Sequence, residues 1–339
     1  MKKAVEILPG LRISSVFSLY GGGHEGPNSG EIKFANSDFI RNVYKRPQTR
    51  HFIHYTSVQS LFEILNSKSL RLYDLNNLND PKEISYAISS LSDNIEEYLP
   101  EYRRSFFCAS FCKYSMTSPN DNFLHWRIYG GEGKGVGIVF EITNMEDDWH
   151  NVFFGKVNYG LENRKFDLLF KFQQFHFEFN KQHNLFHNVP SAFALMAMYF
   201  KHPLWKDEKE YRLFIYANYS PYFLNVKTFD VENSRLANHH LHFTLNKQNK
   251  RVGYITMPIH YRTELPDAEK QLENKELALR LTNSVPNLKI VRIVCGHSVP
   301  KDVLFELDIL LPKYFEKHIG NSVQIGYTRH FEVLNDSSL

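Results

Sequence analysis

The stretch HFIHYTSVQSLFEILNSKSLRLYDLNNLNDPKE, residues 51–83, decides how the chain is read. Residues His51 to Tyr55 alternate as a short strand, and either Thr56 or Ser57 can cap the helix that follows. In that helix Val58, Leu61, Phe62 and Leu65 keep helical spacing on one face. A second strand then runs into an Asn/Asp/Pro turn, where Asp80 is placed to cap a helix beginning at Pro81, a favoured first helical position. Strand, helix and strand in this order open an ordered domain.

Outward from this unit the signals alternate. SFFCASFC reads as a third strand, SPNDNFLHWRIYGG as a short helix closed by Gly130 and Gly131, and GVGIVFEI as a fourth strand entered through glycines. After the strand-like VFFGKVNYG, residues 163–202 are helical in pattern and end before Pro203. LWKDEKEYRLFIY, residues 204–216, reads as a strand again. HLHFTL, VGYITMPI, KIVRIVCG and VQIGYTRHFEVL add strands, with helices predicted at DAEKQLENKELALRLTN and KDVLFELDILLPKYFEKH. The mixture predicts an α+β fold with mainly antiparallel sheets and helical insertions, not a doubly wound one. Residues 1–50, with LYGGGHEGPNSGEIKF, form a Gly-rich arm, and residues 51–339 a single α+β domain with a helical insert at about 163–202.

Composition excludes several classes. Over 339 residues, 42% hydrophobic and 23% charged is the balance of a soluble globular protein. A formal net charge of +3 sets up no overall field for nucleic acid, and the basic cluster LNKQNKR, with Lys247, Lys250 and Arg251, is equally a solvated hairpin tip. Three cysteines, Cys108, Cys112 and Cys295, point to a reducing compartment. Cys108 and Cys112 lie within a strand and no second Cys/His pair at finger-like spacing follows, so no metal is expected. Glu6, Pro9 and Arg12 interrupt the start before a signal-peptide core forms, and no apolar run approaches the ~20 residues of a membrane span. A cytoplasmic protein without a membrane partner is the expectation.

Three constellations can carry chemistry. His54, Tyr55 and Thr56 sit where a strand meets a helix N-terminus, whose amide donors welcome a phosphate or ribose oxygen; a capped helix with a hydrogen-bonded histidine is the structural alternative. Trp126 and Tyr129, three apart beside the loop GGEGKGVG, can stack a planar ring or plug a core. Glu208 and Glu210 share a strand face with Arg212, so they form either a salt-bridged strand end or a site that stabilises a cationic transition state.

The segments HYTSVQSLFEILNSKSLRLYDLNNLNDPKE, FCASFC, FLHWRIYGGEGKGVGIVFEI, WKDEKEYRL and LKIVRIVCGHSVPKDVLFELDILLP resemble a bacterial family of cytosolic domains with no assigned function, from about Phe52 to Val333. More distantly, HYTSVQSLFEIL is similar to the opening of ADP-ribosyltransferase-fold proteins. That resemblance implies NAD as the substrate. It places His54, with Tyr55, Thr56, Ser110, Trp126 and Arg212, around the dinucleotide, Tyr129 beside the nicotinamide, Glu210 as the catalytic carboxylate and Glu208 nearer the acceptor. Its chemistry, breaking the nicotinamide–ribose bond through an oxocarbenium-like state, suits a carboxylate facing the positive charge.

The resulting expectation is an NAD-dependent ADP-ribosyltransferase, or an NAD glycohydrolase, acting on a protein or nucleic-acid acceptor, as a toxin or phage-defence effector would. Two other classes stay open: a metal-dependent nuclease using Asp80, Asp207 and Lys209 with the glutamates, and a non-enzymatic nucleotide- or protein-binding module in which Glu210 is merely paired to Arg212.

Overall fold

The computed structural model describes residues 47–77, 82–91, 103–117, 123–145, 149, 152–182, 195–216, 241–246, 249–259, 286–319 and 324–327. The Gly-rich arm up to residue 46, the Asp80–Pro81 cap and the helix expected at 267–283 lie outside them.

In chain order the elements are β1 (His51–Thr56), α1 (Val58–Ser67), β2 (Ser69–Asp74), α2 (Glu83–Ile88), β3 (Phe106–Lys113), α3 (Phe123–Ile128), β4 (Val136–Ile142) and β5 (Val152–Lys156). There follow β6 (Asn158–Tyr159), α4 (Arg164–Gln182), β7 (Phe200–Lys201), β8 (Glu210–Tyr216), β9 (His242–Leu245), β10 (Arg251–Pro258), β11 (Leu288–Cys295), α5 (Lys301–Ile319) and β12 (Gln324–Tyr327). The fold is mixed α+β. Its described residues divide into two compact units, one holding those of 47–74, 107–154 and 207–327, the other those of 75–106 and 155–206.

The first unit is built on a curled sheet in the order β12-β11-β4-β1-β3-β2-β10-β9, with β8 added against β3 and β5. Its registered pairs are antiparallel except β11 with β12. β3 pairs with β1, β2 and β8. A strand has two edges, so three partners require the sheet to fork along β3. The registers show where: β1 meets β3 only at Phe52↔Lys113 and Ile53↔Cys112, and β2 meets it at Tyr73↔Cys108 and Asp74↔Phe107.

Alternation along the strands assigns the faces. Phe107, Ala109 and Phe111 of β3, Leu213 and Ile215 of β8, and Ile138 and Phe140 of β4 enter the main core. Helix α1 covers it with Leu61, Ile64 and Leu65. Burying one such side chain stabilises the fold by about 1.5–3 kcal/mol. The helix starts where the sequence has its cap, and Ser57 takes that role: its hydroxyl accepts from the Ser60 amide at 3.0 Å. Lys68, left-handed at φ 49°, ends it by donating to the carbonyls of Ile64 and Leu65. On the opposite side Ile53, Cys112, Trp126, Val139 and Val294 form a smaller core, against which Tyr55 packs.

The second unit holds α2, β6, α4 and β7. Here the helical reading of 163–202 holds for Arg164–Gln182, whereas Phe200–Lys201 is a strand that pairs with Asn158–Tyr159 in parallel. Phe166 packs edge-on against Phe200 at 5.3 Å. Lys201 is buried and reaches Glu83 of α2 at 3.5 Å. Its ammonium also lies 5.3 Å from the centre of the Trp205 ring.

Candidate functional site

The segment 203–216 does not run as one strand. Pro203–Glu208 is a 3-10 turn, Lys209 takes a left-handed conformation at φ 47°, and β8 starts at Glu210. The left-handed residue breaks the two-residue alternation. Glu210 and Arg212 therefore share a strand face as expected, while Glu208 approaches from the turn. Both carboxylates are buried, at 3% and 5% exposure, whereas the intervening Lys209 and the preceding Asp207 face solvent.

Glu210 is gripped on both oxygens. Arg212 Nε donates to Oε1 and its terminal Nη2 to Oε2, each at 2.9 Å. Ser110 Oγ, from the neighbouring strand β3, also donates to Oε1 at 2.5 Å. Burial pulls the guanidinium pKa down. The forked pairing with Glu210 opposes that pull and keeps Arg212 cationic.

Glu208 is held from the other side. The Tyr129 hydroxyl donates to its Oε1. Burial, then the charge of Glu208, pushes the Tyr129 pKa up, so the phenol stays a donor. The main chain beneath Glu208 is fixed as well. Cys112 Sγ donates to the Glu208 carbonyl at 3.5 Å and lies 3.9 Å from His125 Nε2. His125 is buried and hydrogen-bonded to the main chain at Asp207 and Glu208; burial, the larger effect, holds its pKa below the ordinary value. A neutral imidazole results.

The remaining sequence candidates divide. Ser110, Tyr129, Glu208, Glu210 and Arg212 come together in this cluster. His54 joins it through the backbone: its Nδ1 meets the Ser110 carbonyl at 2.9 Å while its ring packs against Phe111 at 5.6 Å. β1 and β3 have just stopped pairing there, so the imidazole takes the place of a ladder hydrogen bond. Burial lowers the His54 pKa, against the smaller raising effect of that carbonyl. Thr56 ends β1, and its carbonyl lies against Gly135.

Trp126 and Tyr129 do not share a role. Trp126 is 1% exposed and closes the smaller core with Tyr55 edge-on at 4.9 Å, so it cannot take a stacked ring from solvent. Tyr129 instead has His125, four positions earlier, as its neighbour, with ring centroids 6.5 Å apart. His125 and Cys112 are the two members of the cluster that sequence reasoning missed. Their signals were present: Cys112 stands two residues after Ser110 on the same strand face, and His125 four before Tyr129.

The glycine loop is locked. Gly133 donates to the Trp126 and Gly130 carbonyls, Gly135 to that of Gly130, and Gly296 and Ser298 donate to Gly135 and Gly133. A Cβ at Gly135 would come within 2.3 Å of the Thr56 carbonyl. Its glycines serve close backbone packing.

Among the described residues no cluster of three or more His, Cys, Asp or Glu side chains could hold a metal ion. Of the nuclease set, Asp80 lies outside them, and Asp207 and Lys209 point to solvent. No helix among them is long and apolar enough to cross a membrane.

Residues 125–213, from His125 to beyond Arg212, match the family described as "Protein of unknown function (DUF2971)". The match is to a domain family of unknown function, as the sequence pattern implies. It spans His125, Tyr129, Glu208, Glu210 and Arg212. No curated protein and no solved structure matches the chain.

Proposed function

We propose that the Glu208–Glu210 cluster acts on NAD, transferring ADP-ribose to a macromolecular acceptor or to water. The observation that carries this reading is the pair of buried carboxylates at one strand mouth, each aimed by a hydroxyl: Ser110 on Glu210 and Tyr129 on Glu208. Fixed, desolvated carboxylates act on developing positive charge without reorganising during the reaction. Arg212 sets the plane of Glu210.

In this reading the bond between the ribose anomeric carbon and the nicotinamide nitrogen breaks. Its electron pair stays on nitrogen, which leaves as neutral nicotinamide. Glu210 holds the ribose and faces the oxocarbenium-like carbon. An acceptor hydroxyl, amine or water adds to that carbon, and Glu208 takes the proton released. His54 steadies Ser110 from behind through its carbonyl. The sheet of mainly antiparallel strands that forks at β3 supports the ADP-ribosyltransferase-like reading of the fold. A toxin or defence effector is one setting for such chemistry.

The test is nicotinamide release from NAD by wild-type protein, Glu210→Gln and Tyr129→Phe, each shown to be folded, with and without cell extract as a source of acceptors. Release by the wild type that falls about 100- to 1,000-fold in Glu210→Gln is the expected result, the size of one electrostatic transition-state contact. Absence of release from folded wild type in every condition overturns the reading and leaves Glu210 and Arg212 as a salt-bridged strand end.

A further inference from the structure

A net charge of +3 for the whole chain conceals a local concentration. Residues 233–263 contain no Asp or Glu, and they carry Arg235, Lys247, Lys250, Arg251 and Arg262 together with four histidines. β9 and β10 lie inside this acid-free run and form an antiparallel hairpin at the end of the sheet.

The registers place a row of rings across three strands. Tyr254 of β10 stands opposite His242 of β9 on one side and Tyr73 of β2 on the other. His242 and Tyr254 are stacked, 5.2 Å apart at 24°, and Tyr73 lies 5.7 Å from Tyr254. Arg71, two residues before Tyr73 on the same face, sets its guanidinium 4.9 Å from the Tyr254 centroid, and Glu63 holds it there at 2.9 Å. The core side chains of β10, Ile255 and Met257, point the other way. This row therefore lies on the face of the sheet away from the main core. His242 is exposed and Tyr73, Tyr254 and Arg71 are half-buried, while Lys250 stands exposed at the turn; Arg251 lies on the other face, over the Phe243 ring at 3.8 Å.

We propose that this face binds single-stranded nucleic acid, bases stacking on the His242–Tyr254–Tyr73 row and phosphates meeting Lys250. Partly exposed aromatic faces on a sheet, flanked by cations, fit unpaired bases, whose flat surfaces a duplex conceals. The absence of acidic residues over the run matches a polyanion along its length. The surface stands on its own observations and does not depend on the glutamate cluster.

Fluorescence anisotropy with labelled single strands of roughly 20 nucleotides, as DNA and as RNA, tests it. Saturable binding to at least one single strand is expected, weakened roughly 5- to 100-fold in His242→Ala by loss of one stacking partner. Lys250→Gln should also weaken it and lower the slope of log affinity against log salt by roughly 0.7, the value for one cation lost. Circular dichroism confirms that the variants fold. Three results overturn the proposal: no binding to either single strand, binding to duplex of the same length as tight as to single strands, or binding that His242→Ala leaves unchanged. The last, with heparin competing as well as the oligonucleotide, marks a general polyanion surface.

Discussion

Arg212 and Glu210, two residues apart on β8, form a closed fork in which Nε and one terminal nitrogen of the guanidinium meet the two carboxylate oxygens at 2.9 Å each. Neither side chain exceeds 6% exposure. The pair is almost wholly withdrawn from water, and its partners beyond the fork, such as Ser110, decide how the carboxylate is aimed.

Removing one member of that fork is expected to destabilise the protein far more than removing both. Arg212→Ala leaves a buried carboxylate without its cation and should cost about 3–5 kcal/mol. Replacing both with apolar residues of similar size, Glu210→Leu with Arg212→Met, should recover most of it. Urea unfolding of the two variants checks this, and an unchanged midpoint in Arg212→Ala would show that the fork does not bear on stability.

Stability should fall on mild acidification. Burial lowers the folded-state pKa of His125 below its ordinary value near 6.5. As pH drops below that value the unfolded chain binds the proton and the folded chain does not, so stability is complete above it and is lost as pH falls toward the folded pKa. One such group contributes a slope of at most about 1.4 kcal/mol per pH unit. Unfolding midpoints measured between neutral and mildly acidic pH should decline in the wild type and decline less steeply in His125→Gln.

Two glycines of one loop should respond differently to a methyl group. Gly131 has φ 58° with open space where a Cβ would stand, so Gly131→Ala costs only the left-handed backbone, about 1–2 kcal/mol. Gly133 has φ 84°, and its Cβ would fall 2.4 Å from the His297 ring. Gly133→Ala should therefore lower the melting temperature clearly more than Gly131→Ala, and equal shifts would contradict the packing of the loop against His297.

Local pattern was enough for the elements that signal themselves. The strand ending near Thr56, the serine cap of α1 and the strand FFCASFC all follow from alternation, helical spacing and capping chemistry. What eluded sequence reasoning depends on backbone that pattern does not encode. The left-handed Lys209 separates Glu208 from the strand, although the sequence there reads as a continuous alternation. Trp126 and Tyr129 part because Tyr129 lies just past the end of α3, where it reaches Glu208, and Trp126 turns inward. The partnership of Ser110 and Glu210 was legible only as an order of residues along the chain, since their adjacency is set by β8 pairing with β3.

The fork at β3 also has a consequence for synthesis. Ser110 and Glu210 are 100 residues apart, and β8 is among the three strands that pair with β3. At about 5–20 residues per second, translation leaves β3 waiting roughly 5–20 seconds for that partner. During this interval its unpaired backbone and the apolar run Phe106-Phe107-Cys108-Ala109 are open to neighbouring nascent chains. The protein thus emerges from the ribosome incomplete at its centre, with both glutamates still to be made and an apolar central strand already synthesised.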